Sequence, residues 1–293
     1  MKTKIFFLIA LSSFVLVFLA APLRLFANFQ TSTLVGFICF FVLTLYCIKR
    51  YRTKLPDYLI LAAILSGICI IEIPLRITNF ESTLISLPDF IIHCLGIIAG
   101  FIYMKSNRII GVSAGLAALA IAVFMFFSGY DLWLNKINYG TFTGIVTENT
   151  PEIKISDSHN QVMTNETFRN KIVVLDFWNT ACGVCFKKFP SLQEKYDTYK
   201  NTEGVEIYAI NLNLKRDTLN QAINTIRRLN YSFPVLVVYG DTLAKKFNIT
   251  GVPTTIVIQN DKIVYRGDIE GVDKVLEKFR NNHNPRNQLK IQR

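Results

Sequence analysis

The residues best suited to chemistry in this chain are two cysteines, Cys182 and Cys185, separated by two residues. They follow the apolar run Ile172 to Leu175 and then Asp176-Phe-Trp, which predicts a buried strand that leads into a helix at the pair. A cysteine at a helix N-terminus is stabilised as a thiolate by unpaired N–H groups and by the helix dipole. Cys182 has that position, and Cys185 lies one turn on, where it can attack a mixed disulfide formed on Cys182. The spacing predicts a thiol–disulfide redox site.

Other uses of a CxxC pair need residues that this chain does not supply at the right spacing. A zinc site takes a second cysteine pair or two histidines, and neither His159 nor His283 stands at ligand spacing. Attachment of a c-type haem needs a histidine directly after the second cysteine, where this chain has Phe186. No GxGxxG follows a strand, so no nicotinamide or flavin motif is evident. We predict neither a metal nor an organic cofactor.

Composition divides the 293 residues into two parts. Residues 1–129 hold ten Lys/Arg and four Asp/Glu, whereas residues 130–293 hold twenty-two and seventeen. The first part is therefore predicted to be a transmembrane helical region and the second a soluble one.

Five apolar stretches in residues 1–129 could cross a bilayer, which takes about 20 residues. Three are free of charge and two are shorter: Ile5–Leu23, Leu25–Ile48 and Ile109–Tyr130, then Tyr58–Ile71 and Phe90–Met104. The two short stretches reach spanning length with flanking residues, or they form a re-entrant hairpin. We predict about five transmembrane helices.

The positions of Lys and Arg predict how these helices are oriented, because such residues are retained on the cytoplasmic side. With the N-terminus inside, the inner segments carry eight Lys/Arg and the outer loops carry only Arg24 and Arg76. Five crossings then put the CxxC region outside, and cleavage of the first helix near Ala20-Ala21 would not change this. The prediction is a multi-pass protein of the cytoplasmic (inner) membrane with its soluble part on the extracytoplasmic, periplasmic side. The net charge of +11 then needs no nucleic-acid partner.

The soluble part is predicted to be an α/β domain at 162–281, after a linker at 130–161 and before a polar tail at 282–293. Strands and helices alternate, and Asn260-Asp261 marks a hairpin. The predicted elements are strands Ile172–Trp178, Val205–Asn213, Phe233–Val238, Thr254–Gln259 and Lys262–Arg266, and helices Cys182–Tyr199, Asp217–Leu229 and Val272–Arg280.

Several motifs together resemble the thioredoxin superfamily, and within it the membrane-anchored TlpA/ResA-like disulfide oxidoreductases. They are DFW before CxxC, Pro190 five residues after the second cysteine, and Gly251-Val-Pro253-Thr254 before the hairpin. The helix and the Phe233-Pro234-Val235 segment after the second strand resemble the TlpA/ResA-like insert. Two positions depart from the family: Ala181 replaces a tryptophan, and Val184 stands where thioredoxin has proline.

The resemblance implies roles for further residues. Pro253 is expected to be a cis-proline beside the active site, and Asp176 to match the buried carboxylate that takes the Cys185 proton. Burial disfavours the charged form of an acid, so Asp176 can accept a proton near neutral pH; the alternative is a local hydrogen bond. The predicted catalytic residues are Cys182, Cys185 and Asp176. The predicted substrate-binding residues are Trp178, Gly183, Val184, Val252 and Pro253, with packing under the site as the alternative for Trp178.

The implied activity is that of a thiol–disulfide oxidoreductase, most simply a protein-disulfide reductase, with cytochrome c biogenesis among its uses. Its partners would be protein disulfide or dithiol substrates, the lipid bilayer and a membrane or soluble electron donor, since the compartment is oxidising. The same residues could run in reverse as a thiol oxidase. A redox-gated sensor or binding module coupled to the membrane helices is a third reading. Nothing around the pair supports a peroxidase.

Four more cysteines lie in the apolar part: Cys39, Cys47, Cys69 and Cys94. At 1.5 Å rise per residue, Cys69 and Cys94 fall at similar depth near the outer side, where they could pair and relay electrons. Cysteine is also a small apolar residue that membrane helices accept freely. The sequence leaves both interpretations open.

Overall fold

The computed structural model describes residues 1–26, 28–156 and 162–277. The chain forms two compact units, Met1–Ile137 and Asn138–Arg293. The boundary falls later than the compositional one near Tyr130, because the last apolar helix continues beyond that residue. The predicted polar tail at 282–293 lies outside the described residues.

The first unit is helical throughout. Its helices are α1 (Lys2–Phe26), α2 (Phe29–Tyr51), α3 (Asp57–Thr78), α4 (Phe80–Thr83), α5 (Leu87–Lys105), α6 (Arg108–Phe124) and α7 (Tyr130–Tyr139). A 3-10 turn at Leu84–Ser86 precedes α5, and a π-helical turn at Met125–Gly129 makes α6 and α7 one continuous helix. Among the described residues, five helical segments are long and apolar enough to cross a membrane, which confirms the predicted number. With 22 and 19 residues, α3 and α5 reach spanning length.

Glycines let these helices pack closely, as is common where neighbouring helices are apolar all round. A Cβ on Gly67 would meet the Ala10 carbonyl oxygen of α1. On α2, a Cβ on Gly36 would collide with the His93 imidazole of α5. Close packing therefore depends on these two positions having no side chain.

The second unit is built on a mixed six-stranded sheet in the order β1-β8-β7-β4-β5-β6. Its strands are β1 (Ile145–Asn149), β4 (Ile172–Trp178), β5 (Val205–Leu212), β6 (Val235–Val238), β7 (Thr254–Gln259) and β8 (Lys262–Gly267). Strands β4, β5 and β6 are parallel, and β7, β8 and β1 are added antiparallel on the other side of β4. A separate pair, β2 (Lys154–Ser156) and β3 (Val162–Thr164), is antiparallel.

Helices α8 (Gly183–Tyr199), α9 (Gln221–Arg228) and α10 (Thr242–Lys246) connect the strands, with 3-10 turns at Asn165–Phe168 and Ile269–Gly271. Every residue of β4 is buried, so this strand is covered on both faces of the sheet. Ile172, Val174 and Trp178 pack against α8 on one face. Val173, Leu175 and Phe177 point to the other face of the sheet, where they belong to a second cluster of buried apolar side chains. The CxxC turn directly follows β4, so the position of this buried strand determines the position of the cysteines.

The structure follows the predicted α/β order but differs in detail. β4, β7 and the hairpin at Asn260-Asp261 are confirmed; both turn residues have positive φ, at 51° and 57°. The helix predicted from Asp217 begins at Gln221, and the strand predicted from Phe233 begins at Val235. Residues 273–277 are helical, and the rest of the predicted closing helix lies outside the described residues.

The largest difference concerns the predicted linker at 130–161. It contains the end of the last apolar helix, and Ile145–Asn149 forms the outer strand β1, paired with β8. An edge strand with both faces largely exposed needs no apolar alternation, and β1 is mostly exposed. Composition therefore could not distinguish it from a linker.

Candidate active site

The two cysteines occupy the first turn of α8, where Cys182 is the N-terminal capping residue. Its Sγ accepts a hydrogen bond from the Cys185 backbone N–H at 3.1 Å. The pair is joined as a disulfide, with the Cα atoms 5.3 Å apart. Cys182 is partly exposed, whereas Cys185 is fully buried. A substrate can therefore reach Cys182 directly, and Cys185 can act only on a bond already made to Cys182.

The loop before β7 lies against the exposed cysteine. The Val252–Pro253 peptide bond is cis, as predicted. The Cys182 Sγ is 3.6 Å from the Val252 carbonyl oxygen. Thr254 donates its hydroxyl to the Gly251 carbonyl at 2.8 Å, which fixes the turn into β7. The backbone of this loop therefore lies where an extended polypeptide bonded to Cys182 would pass.

Asp176 lies in the middle of the buried sheet and is only 2 % exposed. Its Oδ1 accepts a hydrogen bond from the Thr255 hydroxyl of β7 at 2.6 Å. Burial raises the pKa of Asp176 to about 7, with a further upward effect from the charge of Asp268 and a partial downward one from the Thr255 hydrogen bond. Side chains two apart on a strand share a face, so Asp176 lies on the α8 side with Trp178, which packs in the cluster of Cys185.

The other predicted substrate-binding residues have different environments. Gly183 and Val184 are exposed in the turn between the cysteines, and Val184 is 56 % exposed. Trp178 is fully buried, with its ring packed edge-on against Phe189 and Phe186 at 5.1 and 6.1 Å between centroids. Direct contact between Trp178 and substrate does not agree with this burial. The packing alternative does.

Several residues near the site could not be identified as site residues from the sequence. Thr255 reaches Asp176 because β7 pairs with β4 in the register Asp176 to Thr255. Lys188 of α8 bridges Asp268 and Glu270 at 3.2 and 2.8 Å. Each contact joins segments at least 79 residues apart, so only the tertiary fold brings them together. Only a prediction that β7 pairs with β4, in the observed register, could have placed Thr255 beside Asp176.

Two more contacts involve segments outside the CxxC motif. Tyr139 donates its hydroxyl to the Pro253 carbonyl at 3.5 Å, although it precedes the sheet in the chain. Asn211 of β5 is fully buried beside Trp178, at the matched position of the next strand. Neither the Asn211 amide nor the Trp178 indole N–H has a hydrogen-bond partner. Buried polar groups are nearly always paired, so this position is under-satisfied.

The remaining cysteines lie in the helical unit. Cys47 is buried, and Cys39, Cys69 and Cys94 are partly buried. All four are free thiols, so Cys69 and Cys94 do not form a disulfide in this structure. Among the described residues, no three His, Cys, Asp or Glu side chains come together in a group that could hold a metal ion.

The fold and the site define a class of protein. A CxxC disulfide at a helix N-terminus, a cis-proline loop against its exposed sulfur and a buried acid in the neighbouring strand are the parts of a thioredoxin-fold thiol–disulfide oxidoreductase. Residues 146–266 match the AhpC/TSA family. The chain thus carries a thioredoxin-superfamily domain of the AhpC/TSA type.

Curated relatives of this chain include thiol–disulfide oxidoreductases named ResA. The protein from Bacillus thuringiensis subsp. konkukian is 29 % identical over 179 residues, which cover 60 % of this chain and 96 % of the relative. The protein from Bacillus subtilis is 24 % identical over 155 residues, covering 53 % and 82 %. This chain is therefore much longer than its relatives, and about two fifths of it have no counterpart in them.

Solved structures with similar names share 23 to 24 % identity with this chain. The thioredoxin domain of a thiol-disulfide oxidoreductase from Bacteroides vulgatus is 23 % identical and covers 46 % of this chain and 98 % of its own, with a TM-score of 0.40. A thiol:disulfide interchange protein from Bacteroides sp. is 24 % identical, covers 48 % and 93 %, and also has a TM-score of 0.40.

Proposed function

We propose that this chain is a membrane-embedded oxidoreductase that reduces disulfide bonds of proteins outside the cytoplasm. The observation that carries the proposal is the asymmetry of the cysteine pair. Cys182 is accessible at the start of α8 beside the Val252–Pro253 loop, and Cys185 is buried behind it. That arrangement suits capture of a substrate by one cysteine and release by the other.

The reaction needs the dithiol form of the pair. The Cys182 thiolate attacks one sulfur of the substrate disulfide, and the other substrate sulfur leaves and takes a proton. Asp176 accepts the proton of the Cys185 thiol, since its raised pKa lets it do so near neutral pH. The Cys185 thiolate then attacks the Cys182 sulfur, which releases the second substrate thiol and regenerates the Cys182–Cys185 disulfide. Two electrons pass from the protein to the substrate.

Trapping experiments test this mechanism. In the full chain, Cys185→Ser should accumulate mixed disulfides with protein substrates through Cys182, because the resolving thiol is gone. The matched variant Cys182→Ser should trap none, since Cys185 is buried. If both variants are equally inactive in trapping, the domain is a binding or sensor module. Apocytochromes c are the substrates to examine first, and their absence from the trapped species would remove that part of the proposal.

The direction of electron flow is tested by the reduction potential of the pair. A value of about −270 mV, as in thioredoxin, supports a reductase, whereas one of about −120 mV makes the protein an oxidant of thiols. A reductase in an oxidising compartment needs a membrane or soluble electron donor to reduce the Cys182–Cys185 disulfide after each turnover.

The proposed topology has five crossings, with the domain on the extracytoplasmic side. It is supported by eight Lys/Arg in the inner segments against two in the outer loops and by the five apolar helices. Protease added to intact spheroplasts should digest the domain and leave the helical region. Protection of the domain until the membrane is permeabilised would reverse the proposed orientation.

A further inference from the structure

The loop between β5 and α9, residues 213–220, lies beside the redox pair and carries exposed side chains of a distinct kind. Lys215 and Arg216 are exposed, and neither forms an ion pair among the described residues. Leu219 is 80 % exposed. Two cations without an ion pair among the described residues and one exposed leucine thus lie within five residues on this loop.

This loop is fixed next to the CxxC turn. The Thr180 hydroxyl, two residues before Cys182, donates a hydrogen bond to Asp217 Oδ1 at 2.6 Å. Asp217 Oδ2 accepts the Leu214 backbone N–H at 2.9 Å, which closes the loop on itself. The loop that carries the two cations and Leu219 is therefore fixed beside the segment that leads into Cys182.

The topology of the sheet extends this surface. Because β4, β5 and β6 are parallel, their carboxyl ends meet at one edge of the sheet. Val184 follows β4 and is 56 % exposed, Leu219 follows β5, and Tyr239 directly follows β6 and is 66 % exposed. Each of the three strand ends thus presents an apolar side chain to solvent on the edge that carries Cys182.

The charge at this edge is positive. The single acid Asp217 on the loop stands against the two cations Lys215 and Arg216, and Asp241, after β6, is balanced by Lys245 at 2.5 Å. Lys215 and Arg216 have no such partner among the described residues. A polypeptide with acidic and apolar residues would therefore complement the edge, because opposite charges speed encounter and apolar contacts hold the complex.

We propose that Val184, Lys215, Arg216, Leu219 and Tyr239 form a substrate-selecting surface, which we call the carboxyl-edge surface. It binds the protein segment that flanks the target disulfide and favours segments rich in acidic and apolar residues. The inference rests on the proposed reductase function and adds the class of substrate to it. The β5–α9 loop supplies the charge, and the three strand ends supply the apolar contacts.

The experiment uses the reduced full chain in detergent micelles and two synthetic peptides with the same internal disulfide. One peptide has Asp and Leu beside its cysteines and the other has Lys and Ser. Stopped-flow fluorescence gives the second-order rate constant of disulfide reduction. We expect the acidic peptide to react about tenfold faster at low salt, and this preference to shrink as salt screens the charges.

Charge reversal tests the loop directly. Lys215→Glu/Arg216→Glu should abolish or invert the preference, whereas the control Arg169→Glu/Lys262→Glu, in which Arg169 also loses its ion pair with Glu166, should keep it. Both control residues are exposed at the opposite edge of the sheet, before β4 and at the β7–β8 hairpin. Leu219→Ser should slow the acidic peptide about threefold without changing the effect of salt, because it removes an apolar contact. An unchanged rate for the small neutral disulfide 2-hydroxyethyl disulfide shows that the redox pair is intact in each variant.

The outcomes separate the two proposals. If the reduced chain transfers electrons to neither peptide, the reductase function fails. If it reduces both peptides equally and the Lys215→Glu/Arg216→Glu variant behaves like the control, only the carboxyl-edge surface is refuted. The surface is also refuted if this variant keeps the peptide preference and instead loses binding to phosphatidylglycerol vesicles, because the loop then contacts lipid.

Discussion

Two buried acids, Glu72 of the helical unit and Asp176 of the thioredoxin-like unit, have opposite kinds of partner. In the helical unit, Glu72 forms an ion pair with Arg76 at 2.8 Å, and Arg76 also donates to the Thr83 carbonyl. In the thioredoxin-like unit, the fully enclosed Asp176 has one hydroxyl, that of Thr255, as its hydrogen-bond donor. The guanidinium of Arg76 compensates the charge of Glu72, whereas burial with one neutral donor raises the pKa of Asp176 to about 7. The comparison separates a carboxylate that stabilises the fold from one that can do chemistry.

The comparison predicts that Asp176 lowers stability when it is charged. Its pKa is raised from 3.8 to about 7, so the folded state holds a proton that the unfolded state releases. The free energy of unfolding should therefore fall as the pH rises from about 4 to about 7 and stay level above that. Asp176→Asn should raise it by roughly 4 kcal/mol at about pH 8 and much less at about pH 4.

Denaturant unfolding of the detergent-solubilised chain carrying Trp133→Phe, followed by the fluorescence of buried Trp178, measures this effect in the thioredoxin-like unit. The exposed acid Asp197 of α8, which pairs with Lys200, provides the control, and Asp197→Asn should change stability little. If the two substitutions changed the free energy of unfolding equally, the burial of Asp176 would not be the cause of its effect.

The same substitution should slow catalysis. Without a proton acceptor for the Cys185 thiol, Asp176→Asn should lower the rate of mixed-disulfide resolution about 100-fold at neutral pH. In the unmodified protein the rate should rise with pH through about 7 as Asp176 loses its proton, and the variant should lack this inflection. Rapid-quench measurement of the trapped intermediate across pH distinguishes the two. An inflection retained in the variant would assign the titration to another group.

In the helical unit, replacing a buried acid by its amide should lower the stability instead of raising it. Glu72→Gln leaves the Arg76 guanidinium without its counter-charge in a nearly buried position, and should cost about 2 kcal/mol of stability. Thermal unfolding of the helical unit in detergent, followed by far-UV circular dichroism, should show a lower midpoint. Glu81→Gln, on an exposed side chain, is the control. A Glu72→Gln chain as stable as the control would remove the distinction between the two units.

The smallest effect concerns Asn211. Its amide is buried without a partner, so replacing it by a leucine of similar size should stabilise the thioredoxin-like unit by about 1 kcal/mol. Denaturant unfolding with an unchanged slope would give the difference. Destabilisation instead would show that ordered water satisfies the amide.

The elements nearest the site were the most predictable from sequence. The run Ile172 to Trp178 and the hairpin at Asn260-Asp261 have local patterns, apolar on both faces in one case and turn-forming in the other. The two-residue spacing of the cysteine pair predicts its redox chemistry. The cis bond at Pro253 came from family resemblance, since no local pattern distinguishes a cis proline.

The contacts that tune the site were not predictable, because they join distant parts of the chain. Thr255 meets Asp176 through strand pairing across 79 residues, and Thr180 meets Asp217 across 37. Trp178 is an aromatic residue close to the cysteines in the sequence, which suggested a substrate contact. In the structure its ring is packed against Phe186 and Phe189. Strand β1 was missed because an exposed edge strand has the composition of a linker.

The pairing of β1 with β8 has a practical consequence for producing the soluble part by itself. A fragment that starts at residue 162, where the sequence predicts the domain to begin, would lack Ile145–Asn149 and leave the hydrogen-bonding edge of β8 bare. Bare strand edges recruit strands from other molecules and cause aggregation. A fragment that begins ahead of Gly144, whose carbonyl also accepts the Arg266 N–H, keeps this edge capped and is the one to express.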